Sequence, residues 1–164
     1  VQTLDVNVRG MMAGCMAAVG AMGAGGGVIL NIASISALTP VPGLAVYAAS
    51  KAAVLSYTTS LQGELQTAGL PIRARALCPD VVNTAMVTTR AHDPGAALLF
   101  SGPKPLAAED IARAALELMD SHQVFRVVPR WRGVIARGTD VAPAAGLRAL
   151  ALMRALGLRR QRSL

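Results

Sequence analysis

The chain is 164 residues long, 53% hydrophobic, only 15% charged and 3% aromatic, with a formal net charge of +7. This is one domain's worth of chain, long enough for a real core, and its composition suits a buried parallel sheet flanked by helices of small residues. Two cysteines, Cys15 and Cys78, both in apolar surroundings, exclude a disulfide framework and point to a reducing, cytoplasmic setting. The basicity is uneven. Residues 1–125 carry seven Lys/Arg against eight Asp/Glu, a balance of −1, whereas residues 126–164 carry nine Arg against Asp140, a balance of +8. An arginine-rich end of this kind is either a solvated tail or a surface for anionic lipid, nucleic acid or an acidic partner. Nucleic acid is disfavoured, because no aromatics interleave with the arginines and no docking motif is present.

In chain order, residues 5–22 read as a helix rich in Met and Ala, suited to close packing on a sheet or on a partner subunit. No charge lies between Arg9 and Lys51, so residues 11–30 have the length of a membrane span. Gly14, Gly20, Gly23 and the run Gly25-Gly26-Gly27 argue against one. A helix, a glycine loop and a buried strand from Val28 to Ala33 account for the run better. Leu38 to Gly43 is a loop by its Pro and Gly content. A long helix is expected from Leu44 to Ala68, with Gly69 as its C-cap and Pro71 as a stop. Ile72 to Cys78 alternates apolar residues with Arg73 and Arg75, as a strand exposed on part of its length would. Pro79 to Ala107 lacks periodicity and is long enough to be a lid or binding loop. A helix over 109–121, with Glu109 and Asp110 in its first turn, and a strand over 124–128 ended by Pro129 follow. The tail is expected to be helical over 146–158. Arg148, Arg154, Arg159 and Arg162 would then fall within an arc of about 140°. This alternation of helix and strand is that of a doubly wound, Rossmann-like α/β sheet.

One constellation carries chemistry. If the segment after Pro42-Gly43 is helical, Tyr47 and Lys51 lie one turn apart on one face. A phenol has a reference pKa of about 10 and carries protons poorly at neutral pH. An adjacent ammonium favours the phenolate, and a shift of roughly three units needs about 4 kcal/mol, within reach of one close cation plus a helix N-terminus. Ser34, thirteen residues before Tyr47, would donate to an oxygen that gains charge. Together these groups can protonate a carbonyl while hydride arrives from elsewhere. Each also has a plainer reading: Tyr47 and Lys51 as a solvated helix pair, Ser34 as a partner for backbone donors at a strand end.

Four stretches appear in order: Val6-Asn7-Val8-Arg9-Gly10, Asn31-Ile32-Ala33-Ser34, Tyr47-x-x-x-Lys51, and Pro79 to Thr84. In this order and spacing the chain resembles the C-terminal, catalytic half of a short-chain dehydrogenase/reductase over residues 1–129. The resemblance implies an NAD(P)-dependent oxidoreductase that interconverts an alcohol and a carbonyl. It implies Tyr47 as general acid/base, Ser34 as the hydroxyl that orients the substrate oxygen, and Lys51 as the group that lowers the tyrosine's pKa and holds the nicotinamide ribose. Asn7 resembles the helix asparagine that positions a water in the proton relay. Val82 and Thr84 match the turn that grips the nicotinamide carboxamide. The plainer alternative for Asn7 and for Thr84 is a helix cap, which Thr84 could combine with its other role, and Asn31 is read as a structural hydrogen-bonding group. The expected partners are a small, apolar alcohol or ketone and further copies of the chain, with peripheral membrane contact through the basic tail, residues 130–164, as an alternative use of that segment.

Two departures stand out. The family has glycine where this chain has Asp80, a residue that tolerates left-handed backbone but adds a carboxylate near a phosphate-bearing cofactor. No glycine-rich turn between a strand and a helix precedes Asn7, and Gly23 to Gly27 cannot replace it, because that run leaves a helix and enters a strand. The residue that would select NAD or NADP is therefore absent, and three upstream strand–helix units of roughly 30 residues each are expected to be missing. A chain that starts at Val1 is accordingly expected to be a fragment, with a non-catalytic or degenerate homologue as the rival reading. No metal site is expected, since His92 and His122 have no partners at ligand spacing and the cysteines lie 63 residues apart. Trp131 is expected to be a packed surface residue.

Overall fold

The computed structural model describes residues 1–102 and 104–162. Pro103, within the expected loop, and the last two residues of the expected tail lie outside the described residues. Three parallel strands, β1 (Gly27–Ile32), β2 (Ile72–Pro79) and β3 (Phe125–Val128), form a sheet in the order β1-β2-β3. The register runs from Gly27 opposite Ile72 to Ile32 opposite Leu77, and from Ala76 opposite Phe125 to Pro79 opposite Val128. Helical crossovers join β1 to β2 and β2 to β3, the α/β alternation expected.

The first helix is α1 (Gln2–Leu4), a π-helical segment (Asp5–Gly10) and α2 (Met11–Met22) run together. It begins earlier than the expected residue 5, and Asn7 sits inside the π segment rather than at a cap. The long helix is α3 (Ala45–Thr67). It ends as anticipated: Gly69 takes φ +66°, and the Leu70 amide donates to the Leu65 carbonyl at 3.0 Å, closing the turn. A Cβ at position 69 would strain that turn, which is why glycine stands there.

Small residues let the layers approach. Ala74, Ala76, Leu77 and Cys78 of β2 are fully buried, and Ala74, Ala76 and Cys78 share their clusters with residues of α3. One apolar cluster joins Ala33, Val54, Leu55, Cys78, Val127 and Ala136, and a second joins Cys15, Ile29, Leu65 and Ile72. β2 is buried except at Arg73, and Arg75 is not exposed as its alternation with apolar residues implied. It is 4% accessible. Its Nη1 donates to Gln62 Oε1 at 2.8 Å and to the Ala74 carbonyl at 3.2 Å, and its Nη2 to the Ser121 carbonyl at 3.3 Å. Those acceptors are what make burial of the guanidinium tolerable.

The stretch after β2 is more structured than its composition implied. It holds α4 (Ala85–Thr88) and a 3-10 segment (Pro94–Phe100), and a parallel bridge between Val82 and Leu106 closes its base. Then come α5 (Ala108–Asp120), α6 (Arg130–Val141) and α7 (Pro143–Gln161). α6 escaped the sequence because Gly133, Gly138 and Thr139 are poor helix formers. It is held by tertiary contact, with Gly133 seated against the Val127 side chain. α7 is longer than the expected 146–158. Trp131 is 54% exposed, not packed, and carries the Arg132 guanidinium 5.5 Å from its ring centre. No helix among the described residues is long and apolar enough to cross a membrane.

Gln62 accepts both the Ala74 amide, at 2.8 Å, and the Arg75 guanidinium. Gln62→Leu would leave the buried Ala74 amide unpaired and take from the Arg75 guanidinium one of its three acceptors, and is expected to lower unfolding free energy by about 3 kcal/mol in urea melts.

Candidate active site

The C-terminal ends of β1 and β2 open on the same edge of the sheet, and the first turns of α3 stand over that edge. This is where ligands bind in open α/β sheets. Ser34 follows β1 by two residues in extended backbone, φ −169°. Its Oγ accepts the Ser36 amide at 3.2 Å, starting the 3-10 turn Ile35–Ala37, and its side chain also engages the Tyr47 phenol. The contact with the Ser36 amide is the plainer role anticipated for a serine at a strand end.

Lys51 lies one turn beyond Tyr47, its Nζ 5.7 Å from the tyrosine ring centre and 2.8 Å from the Ile32 carbonyl to which it donates. The electrostatics differ from expectation. Burial pushes the Tyr47 phenol above its ordinary value, and the hydrogen bond from Ser34 opposes that shift only in part. Lys51 is itself lowered, first by burial, with the nearby Cys78 thiol acting against it. Half-buried and pointed at a carbonyl, the ammonium does not pull Tyr47 down in this arrangement. Cys78, beneath the site, is fully buried, and its thiol is pushed up to about 11.

Asn7 reaches the site through a residue the sequence reading passed over. Its Nδ2 donates to Ser50 Oγ at 3.1 Å, and Ser50 Oγ donates to the Tyr47 carbonyl at 2.7 Å. Ser50 is completely buried, and the available signal was its place three residues after Tyr47, where a serine hydroxyl can bond back to its own helix. The π segment that carries Asn7 is a form that occurs chiefly at functional positions. Asn31 is structural, as expected: its Nδ2 donates to Thr58 Oγ1 at 2.9 Å inside the core.

Beyond β2, Thr84 occupies the N-cap position of α4, but its hydroxyl turns back to the Val82 carbonyl at 3.4 Å and does not cap. Val82 pairs with Leu106. Asp80 needs no left-handed backbone, since no described non-glycine residue has positive φ. Its carboxylate meets Arg132 Nε of α6 at 2.8 Å, with the aspartate side chain 9% exposed. The added negative charge is therefore compensated within the protein. Among the described residues there is no group of acidic, His or Cys side chains able to hold a metal.

Residues 1–95 match the short chain dehydrogenase family, a span that includes Asn7, Ser34, Tyr47, Lys51, Val82 and Thr84. The chain belongs to that family. It is 42% identical over 94 residues to 2-(R)-hydroxypropyl-CoM dehydrogenase of Xanthobacter autotrophicus, covering 57% of this chain and 37% of that protein. It is 36% identical over 120 residues to 3beta-hydroxysteroid dehydrogenase 1 of Eggerthella lenta, covering 70% of this chain and 45% of that protein. The chain thus spans less than half the length of these relatives. A short chain dehydrogenase from Burkholderia cenocepacia, solved in complex with NADP, superposes with a TM-score of 0.72 at 25% identity, over 90% of this chain and 56% of that one. The family fold places β1, β2 and β3 in one Rossmann-like sheet.

Because the Ser34 hydrogen bond lowers the Tyr47 phenol against the effect of burial, Ser34→Ala is expected to move its titration further upward. Ultraviolet titration of phenolate in a Tyr57→Phe background would read Tyr47 alone; a midpoint that falls or stays fixed would contradict the contact. With Cys15 and Cys78 both buried, neither thiol should react with a disulfide reagent until the chain is unfolded.

Proposed function

We propose that the chain is the catalytic half of an NAD(P)-dependent oxidoreductase that interconverts a carbonyl and an alcohol. The observation that carries this reading is the placement of Tyr47 in the first turn of α3, with the Lys51 Nζ 5.7 Å from its ring centre and Ser34 just past the end of β1. A phenol beside a lysine, with a second hydroxyl at the same sheet edge, suits carbonyl protonation.

The fit to a nicotinamide dinucleotide is partial. The residues for the nicotinamide and its ribose are present at one sheet edge: Tyr47, Lys51 and the Val82–Thr84 turn. Among the described residues no glycine-rich turn joins the end of a strand to a helix N-terminus, so no group here is assigned to the diphosphate. When bound, the dinucleotide supplies or accepts the hydride. The protein's own work is proton transfer and positioning. In the reducing direction the Tyr47 hydroxyl gives its proton to the substrate oxygen while the Ser34 hydroxyl donates to the same oxygen. In the oxidising direction Tyr47, as the phenolate, takes the alcohol's proton while Ser34 still donates to that oxygen. A phenol held above its ordinary pKa is protonated at neutral pH but gives its proton up reluctantly; to work as an acid or base there it needs the positive charge that Lys51, and a bound nicotinamidium, would supply. Asn7 acts through Ser50 on the backbone of Tyr47 and so positions the acid rather than touching substrate.

The two named relatives are dehydrogenases of hydroxyl compounds, which supports an alcohol/ketone substrate class. We assign an apolar substrate, in keeping with Leu98, Leu99 and Phe100 in the adjoining loop. Val6 and Met16 on the first helix and Val46 at the start of α3 are exposed, which supports assembly with further copies of the chain.

Tyr47→Phe is expected to lower kcat by about 10²–10⁴-fold while NADH or NADPH binding, followed by fluorescence titration, changes little. Near-normal turnover in that variant would remove Tyr47 from its role. Failure of the unsubstituted chain to bind either nucleotide would favour a non-catalytic part in packing.

A further inference from the structure

The arginine-rich C-terminal helix does not trail from the body. α7 lies across the 3-10 segment Pro94–Phe100 and satisfies main-chain acceptors at both ends of it. Arg154 Nη2 donates to the Pro94 carbonyl at 3.4 Å, and Gln161 Nε2 to the Asp93 carbonyl at 2.9 Å. At the far end Arg160 Nη1 donates to the carbonyls of Phe100, Ser101 and Gly102, at 3.3, 3.3 and 2.6 Å. Between them Gly157 is buried against the loop, and a Cβ there would collide with the Ala97 carbonyl. A seven-residue 3-10 run is longer than such helices usually sustain alone, so these contacts are what hold it.

The loop in turn touches the flank of the candidate site. Gly95 abuts Gly43, which has φ +96° and lies four residues before Tyr47; a Cβ at Gly43 would strike the Gly95 carbonyl. The loop's base is closed by the Val82–Leu106 bridge, two residues from Thr84. A continuous line of contact therefore runs from Gly157 through Ala97 and Gly95 to Gly43 and the first turn of α3.

We propose that α7 is a positioning strap: Gly157 and Arg160 hold residues 93–102 against Gly43, and thereby set the wall of the substrate cleft beside Tyr47. The first half of this inference stands on the contacts alone. The second rests on the oxidoreductase reading above. It also gives Arg154 and Arg160 of the basic tail an intramolecular use.

The test uses the full chain with Gly157→Ala and Arg160→Gln, and Gly138→Ala in α6 as control, where an added Cβ meets nothing within 4 Å. Alanine is the better helix former, so any loosening in Gly157→Ala cannot come from a weaker helix. Hydrogen exchange should quicken at least tenfold across residues 93–102 in both variants and also at the Leu44 amide, which donates to the Val41 carbonyl beside Gly43. The control should match the unsubstituted chain. In NADH- and NADPH-dependent reduction of cyclohexanone and acetophenone, KM should rise several-fold with kcat within about twofold. Unchanged exchange across 93–102 in both variants would overturn the strap. Faster loop exchange with Leu44 and KM unmoved would overturn its link to the site. If the unsubstituted chain reduces neither ketone with either nucleotide, the oxidoreductase reading fails for these substrates, while exchange at 93–102 and Leu44 still decides the strap.

Discussion

The first turns of α3 are tied to the end of β1, and the candidate site exists only where that tie is made. Parallel strands leave main-chain carbonyls at their C-terminal edge, and Lys51 takes the one at Ile32. Ser34, just past the same strand, engages Tyr47 from below, while Asn7 and Ser50 hold the Tyr47 carbonyl from the side. Three elements distant in sequence therefore converge on one helical turn. Loosening any of them would move the phenol, because these bonds fix the backbone that carries it.

That convergence depends on a core made of small residues. Alanines along β2 and on the facing helices bring α3 close enough for side chains as short as Ser34 and Ser50 to reach their partners. The same closeness buries polar groups, and each is answered locally: Asn31 by Thr58, Arg75 by Gln62 and by the carbonyls of Ala74 and Ser121. Such pairs stabilise modestly when complete and cost heavily when halved, so they fix the relative placement of α3 and the sheet more than they add stability.

Charge near the C-terminus is used inwardly. Arg126 pairs with Glu117 at 2.8 Å, Arg132 with Asp80, and Arg154 and Arg160 with loop carbonyls. The departure from the family at Asp80 and the basicity of the tail, two oddities when read separately, are partly one feature: an acid introduced at the turn is met by an arginine from the segment that follows. Guanidinium suits this task, since its forked donors can serve several carbonyls at once.

The sequence by itself determined the α/β alternation, the three strands nearly to the residue, the limits of α3 with its Gly69 cap, and the grouping of Ser34, Tyr47 and Lys51. These are legible because hydrophobic period, glycine and proline placement and an i, i+4 spacing are local properties. Tertiary structure alone decided the rest. Arg75 is buried because Gln62, thirteen residues earlier, turns toward it. α6 is helical despite its glycines because Val127 leaves room only for a glycine at 133. The expected fall in the Tyr47 pKa became a rise because burial, which no local pattern reports, outweighs the lowering by Ser34. The arrangement of α7 over residues 93–102 joins positions some sixty residues apart through main-chain carbonyls, and a carbonyl has no letter in a sequence.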